Sequence, residues 1–500
     1  MRHLMGIDLG TSSVKVLLME ERGGIRGVQS VGYPILTPRE GCAEQDPRAW
    51  WKATAQAIRA VLASSGVSPE AITAIGLSGQ MHGLVPLDEH SEVIRPAIIW
   101  ADQRSAQDVE EIYRRAGREE VGRLTLNPVF TGFLLTSLVW MKRVEPENFR
   151  RISTVLLPKD YLRFRLTGTL GTETCDASSS GAFDTTRRTW ADGLLSTLGI
   201  SRQVFPVCAA PTDIVGTVTG VAASETGLRP ATVVIAGGSD QPMQAIGSGI
   251  TEEGTLSVTT GTGGQLFTLT EKPLWNPRMN THTYCHVIPG AWYAMAATLS
   301  AGLSLSWFAQ SVAREEDLTA LTAEAEEAPA GCEGLTFLPY LAGERTPHLN
   351  PDARGVFHGL TLRHDRKHLT RSVMEGVAYS FRDCLETLES FGVPVRRIVA
   401  AGGGARNPLW LQIQADVLDR PIEATSSPEE ASLGAAIAAG VSIGAYADFR
   451  SACASLLTGA RRTVTPRPDS AAVYRAGYDR FRALYGAFDA PRAARGGHTA

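Results

Sequence analysis

Apolar residues recur along this chain in short runs broken by glycines and small hydroxyl residues, and longer amphipathic stretches alternate with them. That alternation predicts an α/β protein. Residues 3–7, 14–19 and 27–33 predict three strands, with Glu21-Arg22-Gly23-Gly24 turning the chain between the last two. Asp46-Pro47 predicts a helix start, Asp as N-cap and Pro in the first turn, and the amphipathic pattern runs to about residue 63. Residues 72–77 and 84–87 return to strand, joined by the polar segment 78–83.

The second half repeats this grammar. Residues 255–258 and 265–269 predict strands around the turn 259–264, helices follow over 304–311 and 368–391, and a strand at 397–401 runs through glycines into a helix over 409–418. The repetition predicts a duplicated α/β domain with a hinge near residues 245–255. A duplicated fold offers a cleft between its copies, where ligands tend to bind. The last ten residues, PRAARGGHTA, predict a frayed tail.

Composition narrows the classes. At 500 residues the chain is too long for one core. It is 43% hydrophobic and 20% charged, enough to bury sizeable cores. A net charge of −4 gives no electrostatic footprint for nucleic acid or an anionic membrane. No apolar run reaches the ~18 residues of a membrane span, and Asp8 interrupts the N-terminus before a signal-peptide core could form. Seven scattered cysteines without C-x-x-C predict reduced thiols, and ten histidines without H-x-x-x-H predict no zinc site. The expected location is the cytoplasm.

Four glycine-bearing motifs carry the candidate chemistry. In Gly6-Ile7-Asp8-Leu9-Gly10-Thr11-Ser12-Ser13-Val14-Lys15 a strand delivers an Asp to a turn of small residues and a second strand leaves it. Such a hairpin offers backbone N–H groups, hydroxyls and a cation to a phosphate, and its Asp can hold a hydrated Mg²⁺. Ala236-Gly237-Gly238-Ser239-Asp240 again ends an apolar strand in an Asp, able to take a proton from a hydroxyl or to cap a helix starting near Pro242. Thr259-Thr260-Gly261-Thr262-Gly263-Gly264 stands in the second half where the Asp8 turn stands in the first. Ala401-Gly402-Gly403-Gly404-Ala405-Arg406-Asn407 joins a strand to a helix, permitting close approach of a base or ribose, or a tight turn. Each motif alone has a plain structural explanation; the four in this order do not.

Taken together they resemble the FGGY carbohydrate kinase family over nearly the whole chain, from Gly6 to about Gly440. Gly355-Val356-Phe357-His358-Gly359-Leu360, followed by His368-Leu369 and Ser372-Val373-Met374-Glu375, is similar to the family's C-terminal signature, and Leu157-Pro158-Lys159-Asp160-Tyr161 and Glu44-Gln45-Asp46-Pro47 also look like that family. The resemblance implies two actin-like (ribonuclease H-like) ATPase domains with an inter-domain cleft, bounded here at 1–248 for sugar and 249–488 for nucleotide, with 489–500 a flexible tail. It implies ATP and Mg²⁺, with Asp240 as general base and Asp8 as metal anchor. Gly10, Thr11, Ser12, Ser13 and Lys15 would cover the phosphates from one half and Gly261 and Thr262 from the other. Gly302, Gly403 and Asn407 would lie along the nucleotide.

Met81-His82 resembles the substrate loop of the family branch acting on D-xylulose, which implies phosphorylation of that pentulose at O5. Trp100, Asp102 and Arg104 resemble the family's W-x-D-x-R, an indole against a sugar's C–H face with Asp and Arg orienting hydroxyls. Three departures bear on the sugar: Gln241-Pro242 beside Asp240 where Asn and small residues are typical, Ser137 where a Lys is typical, and a variant turn at 259–264. A sibling kinase for ribulose, a tetritol, gluconate or a deoxy sugar is the alternative. A nonenzymatic actin-like ATP-binding protein is the reading from another class. Dimers are common among related kinases, and no stretch identifies an interface.

Overall fold

The computed structural model describes residues 2–424, 430–458 and 462–493. Of the expected tail, residues 494–500 lie outside the described residues, while 491–493 close the last helix. Two compact units form. Unit one comprises residues 2–252, 269–293 and 430–458, and unit two residues 253–268, 294–424 and 462–493. Three N-terminal strands are longer than the periodicity alone indicates: β1 (His3–Leu9), β2 (Ser13–Glu20) and β3 (Ile25–Gly32). Helix α1 (Pro47–Ser65) starts where Asp46-Pro47 predicts, with the Asp46 side chain accepting from Arg48 N. Its Trp50, Ile58 and Val61 share one core with Ile7 and Leu9 of β1.

The strand β4 (Ile72–Gly79) lies parallel to β1, and unit one is completed by α2 (Pro158–Thr167), α3 (Thr174–Ser179), β5 (Ile214–Thr217), β6 (Val233–Ile235), β7 (Gly238–Ser239) and α4 (Asp240–Gly247). The strand order is β5-β6-β4-β1-β2-β3, with β7 also on β4. β1 pairs antiparallel with β2, β4 parallel with β6, and β6 antiparallel with β5.

Unit two is built on β8 (Thr255–Thr260), β9 (Gly264–Thr270), β10 (Trp292–Thr298), α5 (Gly302–Trp307), α6 (Arg366–Ser390), β11 (Arg397–Ala401), α7 (Pro408–Leu418), β12 (Ile422–Ala424), β13 (Arg462–Val464) and α8 (Pro468–Ala493). These strands lie in the order β10-β9-β8-β11-β12-β13, and a further strand, His282–Cys285, pairs with β10 at the edge of the sheet. β8 and β9 are antiparallel, β8, β11 and β12 run parallel, and β13 is antiparallel. The two sheets therefore share one topology, and the repeated sequence grammar is a repeated fold.

The C-terminal expectation of one continuous stretch from 249 meets a difference. The helix Glu430–Ser442 belongs to unit one. Gly6 on β1 and Gly76 on β4 are register partners. A Cβ at either would fall 1.8 Å from Ser432 O or 1.9 Å from Ala435 O. Only paired glycines let a helix backbone rest this closely on a sheet. Gly434 does the same for α4, since its Cβ would lie 1.9 Å from Met243 O.

Candidate active site

Three strands of unit one run parallel and end together. Asp8 on β1 lies opposite Ser78 on β4, and on the other side of β4 Gly238 is opposite Ser78 and Ser239 opposite Gly79. Asp8 and Asp240 thus stand at the carboxyl ends of β1 and β7, the edge where open α/β sheets bind ligands. The Ser78 hydroxyl donates to Asp8 Oδ1 at 2.8 Å. Asp240 opens α4 from its first position, with Ser239 as N-cap; it does not cap a helix starting at Pro242.

Asp240 Oδ1 is buried without a hydrogen-bond partner. Burial first, and then the negative charge of Asp8, push its carboxyl up to about 7, while hydrogen bonds from Gln241 oppose the rise. An acceptor left unpaired away from water gains from any donor that reaches it. A carboxyl poised near neutrality can both receive and release a proton.

The turn between β1 and β2 is braced from behind. Gly10 N donates to Ser13 O at 3.0 Å, and the Tyr33 hydroxyl donates to Gly10 O. Gln45 Nε2 donates to Thr11 O at 2.7 Å, and Trp100 Nε1 to the Thr11 hydroxyl at 2.9 Å. Gln45 Oε1 in turn accepts from Gln80 at 2.9 Å and Trp50 at 3.1 Å. Ser12 is exposed at the tip, Ser13 is partly exposed, and Lys15 pairs opposite Asp8. Hard oxygens at Asp8 and Ser78 suit Mg²⁺. Among the described residues no three His, Cys, Asp or Glu side chains gather as a metal cage. An ion held by Asp8 would take its other ligands from phosphate and water.

Met81 is buried, its sulfur accepting the Tyr293 hydroxyl at 3.7 Å. His82 has φ 75°, a left-handed conformation uncommon for a non-glycine residue. Its Nδ1 meets Ser179 O at 2.7 Å. A carbonyl only accepts, so Nδ1 carries the hydrogen of this bond. The ring stacks on Phe133 at 4.1 Å and lies 5.9 Å from that of Tyr284.

Asp102 and Arg104 are placed inside the fold. Asp102 is fully buried, its oxygens accepting from Ala43 N at 2.6 Å and from Arg104 N and Nε at 2.9 Å. Arg104 also pairs with Glu44 at 2.6 Å and lies over Trp140 at 4.9 Å. These two brace the segment that carries Trp100, which itself is 47% exposed.

In unit two a cavity of about 520 Å³ brings together Gly261, Thr262, Gly302, Gly403 and Asn407. Its volume falls in the range of ligand pockets. Leu303, Leu318 and Trp410 add apolar wall, and Thr322 a hydroxyl. Gly302 N donates to Gly261 O at 2.8 Å, and a Cβ on Gly302 would lie 2.5 Å from that oxygen. The Asn407 side chain accepts from Trp410 N at 2.9 Å, capping α7, and donates to the Thr322 hydroxyl at 2.8 Å.

Residues that periodicity and motif reading did not single out complete unit one's site. Lys159, Asp160, Glu173 and Asp176 are all fully buried, and Lys159 and Asp176 bond to Ala236 and Ser239 in the turn before Asp240. The signal for Lys159 and Asp160 was their place in a segment that resembles the family; Glu173 and Asp176 had none.

The family profile for the FGGY family of carbohydrate kinases, N-terminal domain, matches residues 3–247, and that for its C-terminal domain matches 256–443. A xylulose kinase of Bacillus subtilis (strain 168) is 35% identical over 485 residues, 97% of either chain. A gluconokinase of the same organism is 30% identical over 486 residues, 95% of this chain and 93% of that one. A crystal structure described as a xyloylose kinase from Brucella ovis superposes with a TM-score of 0.91 at 35% identity, covering 98% of this chain and 100% of that one.

Proposed function

The chain belongs to the FGGY family of carbohydrate kinases, and from that premise we propose that it phosphorylates D-xylulose at O5 with ATP, using Asp240 as the general base. The observation that carries the reading is the unpartnered, buried Asp240 Oδ1, on a carboxyl raised to about 7 beside Asp8. A sugar hydroxyl is a weak acid, and phosphoryl transfer through a loose transition state asks for alignment and charge neutralisation. Asp240 accepts the hydroxyl proton as the phosphoryl group transfers, help worth about 10²–10⁴-fold.

Asp8 would hold Mg²⁺, which when bound would supply neutralisation of the charge on the phosphoryl oxygens. The braced turn of Gly10, Thr11, Ser12 and Ser13, with Lys15, receives phosphate oxygens. Gly261 and Thr262 serve the phosphates of ATP from unit two, whose cavity takes the adenosine against Gly302, Gly403 and Asn407. Met81, His82, Trp100 and Gln241 meet the sugar, while Asp102 and Arg104 act by holding Trp100 in place. The seven cysteines, all thiols and six of them buried, support a reaction run in the reducing cytoplasm.

Gluconate is the second reading, favoured by the gluconokinase likeness and by Gln241 beside the base. Its carboxylate asks for a cation. Arg104 is committed to Asp102 and Glu44, and Lys159 to Asp160 and Asp176. That commitment favours an uncharged sugar. A coupled ADP-release assay with D-xylulose, D-ribulose, glycerol, erythritol and gluconate tests the choice. The highest kcat/KM belongs to D-xylulose; a tenfold preference for any other sugar overturns the assignment.

A further inference from the structure

The turn 236–239, which delivers Asp240, is gripped at both of its ends by one buried charge cluster. Lys159 Nζ donates to Ala236 O at 3.2 Å, where the turn begins. At the other end the Ser239 hydroxyl donates to Asp176 Oδ1 at 2.9 Å. Lys159 Nζ lies 3.3 Å from Asp176 Oδ2, 2.8 Å from Asp160 Oδ1 and 3.6 Å from Glu173 Oε1. The same cation thus reaches the first residue of the turn directly and the last through one carboxylate. Gly237 between them has φ 83°, so the turn itself is built on a residue with little conformational preference.

Asp176 sits on α3, and that short helix has a second attachment. The Glu173 side chain accepts from Cys175 N at 2.6 Å and Asp176 N at 3.0 Å at its start. At its far end Ser179 O takes the His82 Nδ1 hydrogen at 2.7 Å. One helix therefore ties the residue before Asp240 to the imidazole beside Met81.

Taking four charged groups fully out of water is expensive, and such clusters give a structure specificity more readily than stability. Arg163 adds a second cation, 3.7 Å from Asp160. Burial pushes the Asp176 and Glu173 carboxyls up, the Lys159 cation opposes the rise, and repulsion from the neighbouring carboxylates adds to it.

We infer that Asp176, held by Lys159 and bonded to Ser239, is a positioning residue that fixes both the Asp240 carboxylate and the His82 ring for the transfer. The inference rests on the reading of Asp240 as base. A base misplaced by a fraction of an ångström loses rate while substrate still binds.

The test compares Ser239→Ala, Ser239→Thr, Asp176→Asn and Asp240→Asn in the full-length protein. Ser239→Ala removes one hydroxyl and leaves the charged cluster whole, so folding is spared even where a Lys159 variant fails to fold. The expected result is a kcat lowered about tenfold or more, a KM for ATP within twofold of the parent, and an unchanged Tm. Ser239→Thr restores kcat. Asp176→Asn, which keeps an acceptor oxygen for Ser239 and loses the ion pair, falls between. Parental kcat in Ser239→Ala, or a loss that merely follows a lowered Tm, overturns the inference. Asp240→Asn separates the two claims: its activity failing to drop sinks the base reading, whereas an inactive Asp240→Asn beside a fully active Ser239→Ala sinks only the positioning role.

Discussion

Asp8 and Asp240 close two strand ends of one sheet with a single strand between them, and the charge on Asp8 helps to hold the Asp240 carboxyl up to about 7. Ser78, on the intervening strand, donates to Asp8 and not to Asp240. Burial, which disfavours the charged form of the Asp240 carboxyl, is the larger cause of that rise.

Replacement of Asp240 by Asn or Ala lowers sugar-dependent ADP release by about 10²–10⁴-fold. ATP binding, read by nucleotide fluorescence titration, survives because the cavity of unit two is untouched. In the parent, kcat/KM for the sugar rises with pH through about 7, where Asp240 loses its proton. A rate flat from pH 5.5 to 8.5 removes Asp240 from that role.

The same carboxyl makes stability depend on pH. Its folded pKa lies above the unfolded value of 3.8, so the folded state holds a proton that the unfolded chain has released. The stabilising contribution is complete below 3.8 and is lost as pH rises through about 7. Asp240→Asn is therefore more stable than the parent at pH 8, by about 1–2 kcal/mol after discounting for partial exposure. Thermal denaturation at pH 5 and pH 8 reads the difference, which shrinks or vanishes at the lower pH.

His82→Ala removes the stacked ring beside Phe133 and raises KM for the sugar at least fivefold, with KM for ATP unchanged. Trp100→Phe keeps the aromatic face and loses the bond to Thr11, so its effect appears in KM for ATP as well. Identical KM changes for both substrates in the two variants would falsify the division of labour between them.

Gly403 and Gly302 distinguish a nucleotide wall from a structural turn. A Cβ on Gly403 meets nothing within 4 Å, whereas one on Gly302 lies 2.5 Å from Gly261 O. Gly403→Ala keeps the parental Tm and raises KM for ATP by intruding on the cavity. Gly302→Ala costs about 1–3 kcal/mol of stability as well, the usual penalty of overpacking.

Gly434→Ala places a methyl 1.9 Å from Met243 O and forces α4 away from the helix Glu430–Ser442. The expected loss is again about 1–3 kcal/mol. Because Asp240 opens α4, kcat falls further than the folded fraction does. Equal losses in kcat and in folded fraction would leave α4's seating without a catalytic consequence.

The element order, the duplicated topology and the four glycine motifs were legible in the residues. The Asp46-Pro47 helix start, the strands flanking Gly10 and the glycine turn before Asn407 all depend on neighbours within a few positions. Alternation, capping and positive-φ needs are written in such short windows. The family resemblance followed from the order of those local signals, and the comparisons bear it out.

The roles of individual charges were not legible in this way. Asp102 and Asp240 are both acidic residues near glycine or tryptophan, yet one is consumed by Ala43 N and Arg104 and the other keeps an unpaired oxygen. Nothing next to Lys159 or Asp176 in the chain marks their role; the fold buries both and bonds them to Ala236 and Ser239, just before the base. The helix Glu430–Ser442, nearly two hundred residues beyond Asp240, joins unit one only because Gly6, Gly76 and Gly434 permit backbone contact. Local pattern therefore settled which elements form and where the turns fall. Tertiary packing alone decided which carboxylate is paired, which is free to take a proton and what holds it in place, because burial and distant partners set a charge's energy and neither is a function of sequence spacing.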